Sequence, residues 1–143
     1  MNFASKQGNR FVVLHHRVGT GFQRVSEDHF DWMFERGRSL RTWATPVIDD
    51  LRSAFTLKCA SLADHRIEYL DYEGTVSGNR GNVTRIAAGT FEVIDETSDR
   101  FSIQVDVERG GLFDRATLVF QRTILDSERG LDVSRADWTF SVF

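Results

Sequence analysis

The chain has 143 residues, 41% of them hydrophobic, and a formal net charge of −3 at pH 7. That length makes residues 1–143 one domain with enough apolar residues for a real core, and the slightly acidic balance supplies no whole-molecule field that attracts nucleic acid. No apolar run is long enough to cross a bilayer, Met1 to Lys6 do not lead into a signal-peptide hydrophobic region, and a lone Cys59 forms neither an internal disulfide nor a cysteine-based zinc site, so a reduced, cytoplasmic setting is expected.

In chain order, residues 1–10 are polar and expected to fray. Phe11-Val12-Val13-Leu14 reads as a strand running into His15 and His16. Arg17 to Glu27, with Gly19 and Gly21, reads as a loop. A strand from His29 to Glu35, the turn signal Arg36-Gly37-Arg38 and a return strand from Ser39 to Thr45 form a predicted hairpin that Pro46 ends. Val47 to Ala54 fits a loop or one helical turn, and Phe55 to Leu62 a strand. Asp64 is placed to cap a short helix over His65 to Tyr72, closed by Gly74, and residues 77–82 form a loop.

The remaining pattern is β throughout. Val83 to Ala88 and Thr90 to Asp95 read as short strands on either side of Gly89. Arg100 to Val107 alternates, with Phe101, Ile103, Val105 and Val107 inward and Ser102, Gln104 and Asp106 outward. Leu112 to Thr123 follows, then a turn over Asp126 to Gly130 and a closing strand carrying Trp138, Phe140 and Val142. Seven or eight short strands with one small helix point to a mainly β domain, a barrel or a sandwich.

Chemistry concentrates at Glu27-Asp28-His29-Phe30-Asp31-Trp32-Met33-Phe34-Glu35. On a strand, His29, Asp31 and Met33 share one face and Phe30, Trp32 and Phe34 the other, so an imidazole and a carboxylate converge over an aromatic backing. The groups to gather into one site are His15 or His16, His29, Asp31, His65 and Tyr69; His15 and His16 alternate sides, so at most one of them faces it. Two imidazoles and a carboxylate suit Mn²⁺, Fe²⁺ or Zn²⁺ better than Ca²⁺ or Mg²⁺. The remaining imidazole can bind an anion or shuttle a proton, and a tyrosine hydroxyl can donate to a phosphate oxygen.

Three blocks carry a resemblance to a known family. They are Arg10-Phe11-Val12-Val13-Leu14-His15-His16, the stretch from His29-Phe30-Asp31-Trp32 to Leu40-Arg41-Thr42-Trp43-Ala44-Thr45-Pro46, and Asp64-His65-Arg66-Ile67-Glu68-Tyr69-Leu70-Asp71-Tyr72-Glu73-Gly74. In order and internal spacing they resemble the 3′-phosphoesterase domain of the bacterial DNA ligase D repair proteins, which also exists as a stand-alone enzyme. The resemblance implies a single compact β-barrel that uses Mn²⁺, or another divalent transition metal, to remove a 3′-terminal ribonucleoside or 3′-phosphate from DNA ends. It implies His16, His29 and Asp31 as metal ligands, His65 as the residue that engages the scissile phosphate, and Tyr69 as its assistant. DNA 3′ ends or another phosphate ester would be the partner, with ligase or polymerase repair proteins nearby and no membrane.

The chain departs from that pattern where the family carries phosphate-binding arginines. Met33 stands at one such position and Leu57 at the other, and Ala63 replaces an expected acid two residues before His65. Arg41 and Arg85 are the cations assigned to substrate, with Arg36 and Arg38 as further candidates to replace the lost pair. Two other readings follow from the same residues: a catalytically weak relative that binds metal and DNA ends, and a non-haem iron oxygenase whose triad joins His29 and Asp31 to a distal His65.

Overall fold

The computed structural model describes residues 9–18, 28–49, 54–76, 81–110, 113–123 and 138–143. Of the loop expected over Arg17 to Glu27, Arg17 ends the first strand and residues 19–27 lie outside the described residues, as do residues 1–8, 77–80 and the turn at 126–130. Stretches rich in β-branched and aromatic residues make nine strands among the described residues. They are β1 (Arg10–Arg17), β2 (His29–Arg36), β3 (Ser39–Pro46), β4 (Phe55–Arg66), β5 (Gly74–Thr75), β6 (Asn82–Glu96), β7 (Arg100–Gly110), β8 (Arg115–Arg122) and β9 (Trp138–Val142). All pairings are antiparallel, in the order β1-β2-β3-β4-β9-β8-β7-β6, and β1 pairs again with β6. That last pairing closes an eight-stranded barrel and leaves no free edge among those strands; β5 adds to β6 outside it.

The barrel encloses an aromatic core. Phe34 meets Trp43, Phe91, Phe101 and Phe120 edge-on at 5.4–6.2 Å, and Trp43 stacks on Phe120 at 4.2 Å. Such edge and stacked pairs add to the burial itself, which is the main favourable term here. A second, smaller cluster lies on the other face of β1 and β2. It joins Val12, Leu14, Met33, Leu40 and Val83 to Leu70 and Val76, so the segment after β4 is folded back over the outside of the barrel. The gap beneath that segment holds the candidate site.

Three local expectations are corrected. The helix expected over His65 to Tyr72 is only a single 3-10 turn, Ile67–Leu70. Pairing with β3 wins over the helical signals: Leu40 faces His65 and Ser39 faces Arg66, which keeps β4 extended to the end. Asp64 caps nothing, and its Oδ2 accepts a hydrogen bond from Ser39 Oγ at 3.1 Å. The strands expected before and after Gly89 are one continuous strand, β6, whose register against β7 shifts between Ala88 and Gly89. The strand expected from Leu112 begins at Arg115. Among the described residues no helix is long and apolar enough to cross a membrane.

Candidate metal centre

Period-2 alternation in β2 sends Phe30, Trp32 and Phe34 into the barrel core and leaves His29, Asp31 and Met33 facing out. Register does the rest: β1 runs antiparallel to β2 with His16 directly opposite His29 and Leu14 opposite Asp31. His16 therefore reaches Asp31 diagonally across the strand pair. His15, one residue earlier, faces the other way and sets its ring edge-on to Phe30 at 5.4 Å. Of the two adjacent histidines, His16 is the one on the cavity side.

The three side chains form a tight buried group. His16 Nδ1 lies 3.3 Å from Asp31 Oδ2, His29 Nε2 lies 3.1 Å from Asp31 Oδ1, and the two imidazole rings are 4.9 Å apart. One donor atom from each residue falls within 4.8 Å of the others. Asp31 is only 2% exposed. Burial pushes its carboxyl pKa up, but the close contacts and charges of His16 and His29 together outweigh burial and hold it below the ordinary value, so the group is a carboxylate. The Oδ1 contact with His29 is close but lacks hydrogen-bond geometry, which leaves that oxygen without a directed hydrogen bond among the described residues. A buried carboxylate oxygen in that state costs free energy. Two imidazoles, an anionic oxygen and this unmet acceptor fit a borderline divalent cation.

A cavity of about 350 Å³ opens beside the triad. Its wall includes Met33, Leu62, Asp64, His65, Arg66 and Tyr69 together with His16, His29 and Asp31. His65 reaches this face through a bulge: between Leu40 and Thr42 of β3, strand β4 carries one extra residue between Leu62 and His65. Without that residue, Leu62 and His65 could not share a face, because three steps along a regular strand reverse the side chain. His65 Nδ1 is 2.9 Å from the Ala63 carbonyl oxygen. A carbonyl only accepts, so Nδ1 carries the proton and Nε2 is the nitrogen left for other partners. Tyr69 follows on the 3-10 turn with its ring 5.8 Å from His65, edge to face.

No protein-family model and no curated protein matches this chain.

The cations expected near the substrate are elsewhere. Arg41 shares the core face of β3 with Trp43, lies over its ring at 4.6 Å and pairs with Glu96 at 3.4 Å. Arg36 also pairs with Glu96. Arg85 donates to the Leu70 carbonyl at 3.2 Å and its backbone N–H to Glu73, so it holds the 3-10 turn from behind and borders a separate recess with Arg10 and Asp71. None of these, nor Arg38, is among the described residues that line the cavity. At the two positions with an expected arginine, Met33 lines the cavity and Leu57 packs against the barrel core. Arg66 does line it, and charge reasoning on the sequence passed it over. The signal the sequence carries for it is its place directly after His65. Cys59 packs against the core, and burial pushes its thiol up to about 12, so it is no nucleophile at neutral pH.

Proposed function

We propose that this barrel is a divalent-metal-dependent phosphoesterase, acting on 3′-phosphorylated DNA ends or a related phosphate ester. One observation carries the reading: a buried two-histidine, one-carboxylate group and a second pair, His65 and Tyr69, border the same cavity. The sequence blocks that resemble the ligase D 3′-phosphoesterase domain contain these same five residues. His16, His29 and Asp31 would hold the cation, with Mn²⁺ the first candidate for this donor set. A cation bound there supplies Lewis acidity to a phosphoryl oxygen and acidifies a bound water.

The chain's own groups account for the rest. With Nδ1–H committed to the Ala63 carbonyl, His65 presents a fixed tautomer whose Nε2 can bond a phosphoryl oxygen or, once protonated, donate to the departing oxygen. The Tyr69 hydroxyl can donate to a second phosphate oxygen. In the net reaction water adds to phosphorus, the P–O bond to the sugar breaks, and the sugar oxygen leaves as a hydroxyl with one of the water protons. The oxygenase reading is weaker, because His65 lies outside the three-residue donor group and takes its place in the wall beside Tyr69.

The test is Mn²⁺-dependent phosphate release from an oligonucleotide bearing a 3′-phosphate. We expect turnover in the native chain and its loss by at least about 100-fold in His29→Ala, since ligand removal strips the metal-dependent chemistry. Release that survives His29→Ala would falsify the proposal. Mn²⁺ binding lost in His29→Ala, with no turnover in the native chain, would leave a metal-binding module.

A further inference from the structure

The charges that line the cavity do not balance for an anionic substrate. Asp31 and Asp64 are both in the wall, and His16, His29 and His65 are not permanent cations. Among the described lining residues, Arg66 is the one permanent cation. It stands at the end of β4, extended at φ −71° and ψ 144°, where the strand passes into the 3-10 turn that carries Tyr69. Its side chain is exposed and has no ion-pair partner among the described residues. The neighbouring arginines are committed: Arg10 to Asp71, Arg36 and Arg41 to Glu96, and Arg85 to Glu73 and the Leu70 carbonyl. Asp64 and Glu68 are the nearest acids in sequence; Asp64 accepts a hydrogen bond from Ser39, and neither forms an ion pair with Arg66 among the described residues.

We infer that Arg66 is the anion clamp of this cavity, gripping the non-bridging oxygens of a terminal phosphate monoester beside His65 and Tyr69. Resting on the phosphoesterase reading, this adds the group that reads the substrate's charge. A guanidinium is suited to the task because its planar fork can donate two parallel hydrogen bonds to two phosphate oxygens. Arg66 borders the cavity directly after His65, at the point where β4 gives way to the 3-10 turn, so the two groups stand in the same wall. A clamp at an exposed position favours a phosphate at the end of a chain over one in its interior, because only a terminal group offers three free oxygens to the wall.

The test titrates the protein with Mn²⁺, then the protein in excess Mn²⁺ with inorganic phosphate and with two short oligonucleotides that end in a 3′-phosphate or a 3′-hydroxyl. The native chain, Arg66→Gln and Arg66→Lys are compared. In Arg66→Gln, affinity for phosphate and for the 3′-phosphate oligonucleotide should fall about 10- to 100-fold, with Mn²⁺ affinity unchanged and the preference over the 3′-hydroxyl strand gone. Arg66→Lys should lie between, keeping the charge but not the fork. Native phosphate affinity in Arg66→Gln overturns the clamp. So does a native chain that binds Mn²⁺ but no phosphate, an outcome that spares the metal centre. Phosphate binding that Arg66→Gln abolishes, in a chain with no Mn²⁺ affinity, supports the clamp and overturns metal dependence.

Discussion

His15 turns its ring to Phe30 on the barrel side of β1, and its Nε2 is buried without a hydrogen-bond partner among the described residues, whereas His16 on the other side meets Asp31. Burial, helped by the charge of Arg17, lowers the His15 pKa from its ordinary 6.5, so the folded chain holds this ring neutral. Between the lowered folded value and 6.5 the unfolded chain binds the extra proton, and stability therefore falls as pH drops through that window. Replacing His15 by leucine removes both the unmet nitrogen and this proton linkage. We expect His15→Leu to be neutral or to stabilise by up to about 1 kcal/mol near pH 7 in urea unfolding, since an unpartnered polar group is lost rather than a bond. Its advantage over the native chain should widen as pH falls below 6.5. Mn²⁺ affinity should not change. A His15→Leu protein that no longer binds Mn²⁺ would place the wrong histidine in the donor group.

At the level of the strand, what could be read from the sequence depended on whether a residue's face follows from its own neighbours. In β2 it does: an uninterrupted alternation from His29 to Phe34 fixes which side chains enter the core, and the barrel keeps it. In β4 and β6 it does not, because a bulge reverses the faces at a place that no local pattern marks. Arg66 lies beyond the bulge, where β4 passes into the 3-10 turn and strand alternation no longer assigns a face, and the charges of Arg41 and Arg85 do not say which face they take. The helical reading after Asp64 relied on a cap and a closing glycine, both local cues, and strand pairing with Ser39 and Leu40 overrode them. Gly89 shows the reverse situation, a turn signal that sits inside a strand. A Cβ there would stand 1.9 Å from the Asp106 carbonyl oxygen, so the residue is needed for the close approach of β7 at the register shift. Gly89→Ala should therefore cost about 3 kcal/mol, read as a lower urea midpoint, because backbone must move to admit one methyl group. A loss below about 0.5 kcal/mol would mean that β6 and β7 do not approach each other at this bulge.

For the molecule as a whole, the barrel separates two jobs. Its interior is a closed aromatic core that fixes β1 and β2 side by side, and its outer surface, under the segment from Ile67 to Val76, is free to carry polar groups. Rigid strands hold His16, His29 and Asp31 in place, which is the support that a preorganised ligand set requires. The overall charge of −3 then sets how a nucleic acid can be engaged. A protein that follows a DNA backbone needs a track of cations, and its affinity rises with strand length and falls steeply with salt. Here most arginines near the cavity are already paired with carboxylates, and the chain repels a polyanion overall. Recognition would then rest on the terminal phosphate and little else. With one or two phosphate contacts to a single strand, log affinity should fall with log salt at a slope of about −1, a roughly fourfold loss between about 50 and 200 mM. Affinity for 3′-phosphorylated oligonucleotides should also level off after the first few nucleotides. Fluorescence anisotropy over a length series at several salt concentrations measures both. A slope of about −4 or steeper, with affinity still rising at about 12 nucleotides, would show a backbone track along the barrel and remove the case for an end-reading site.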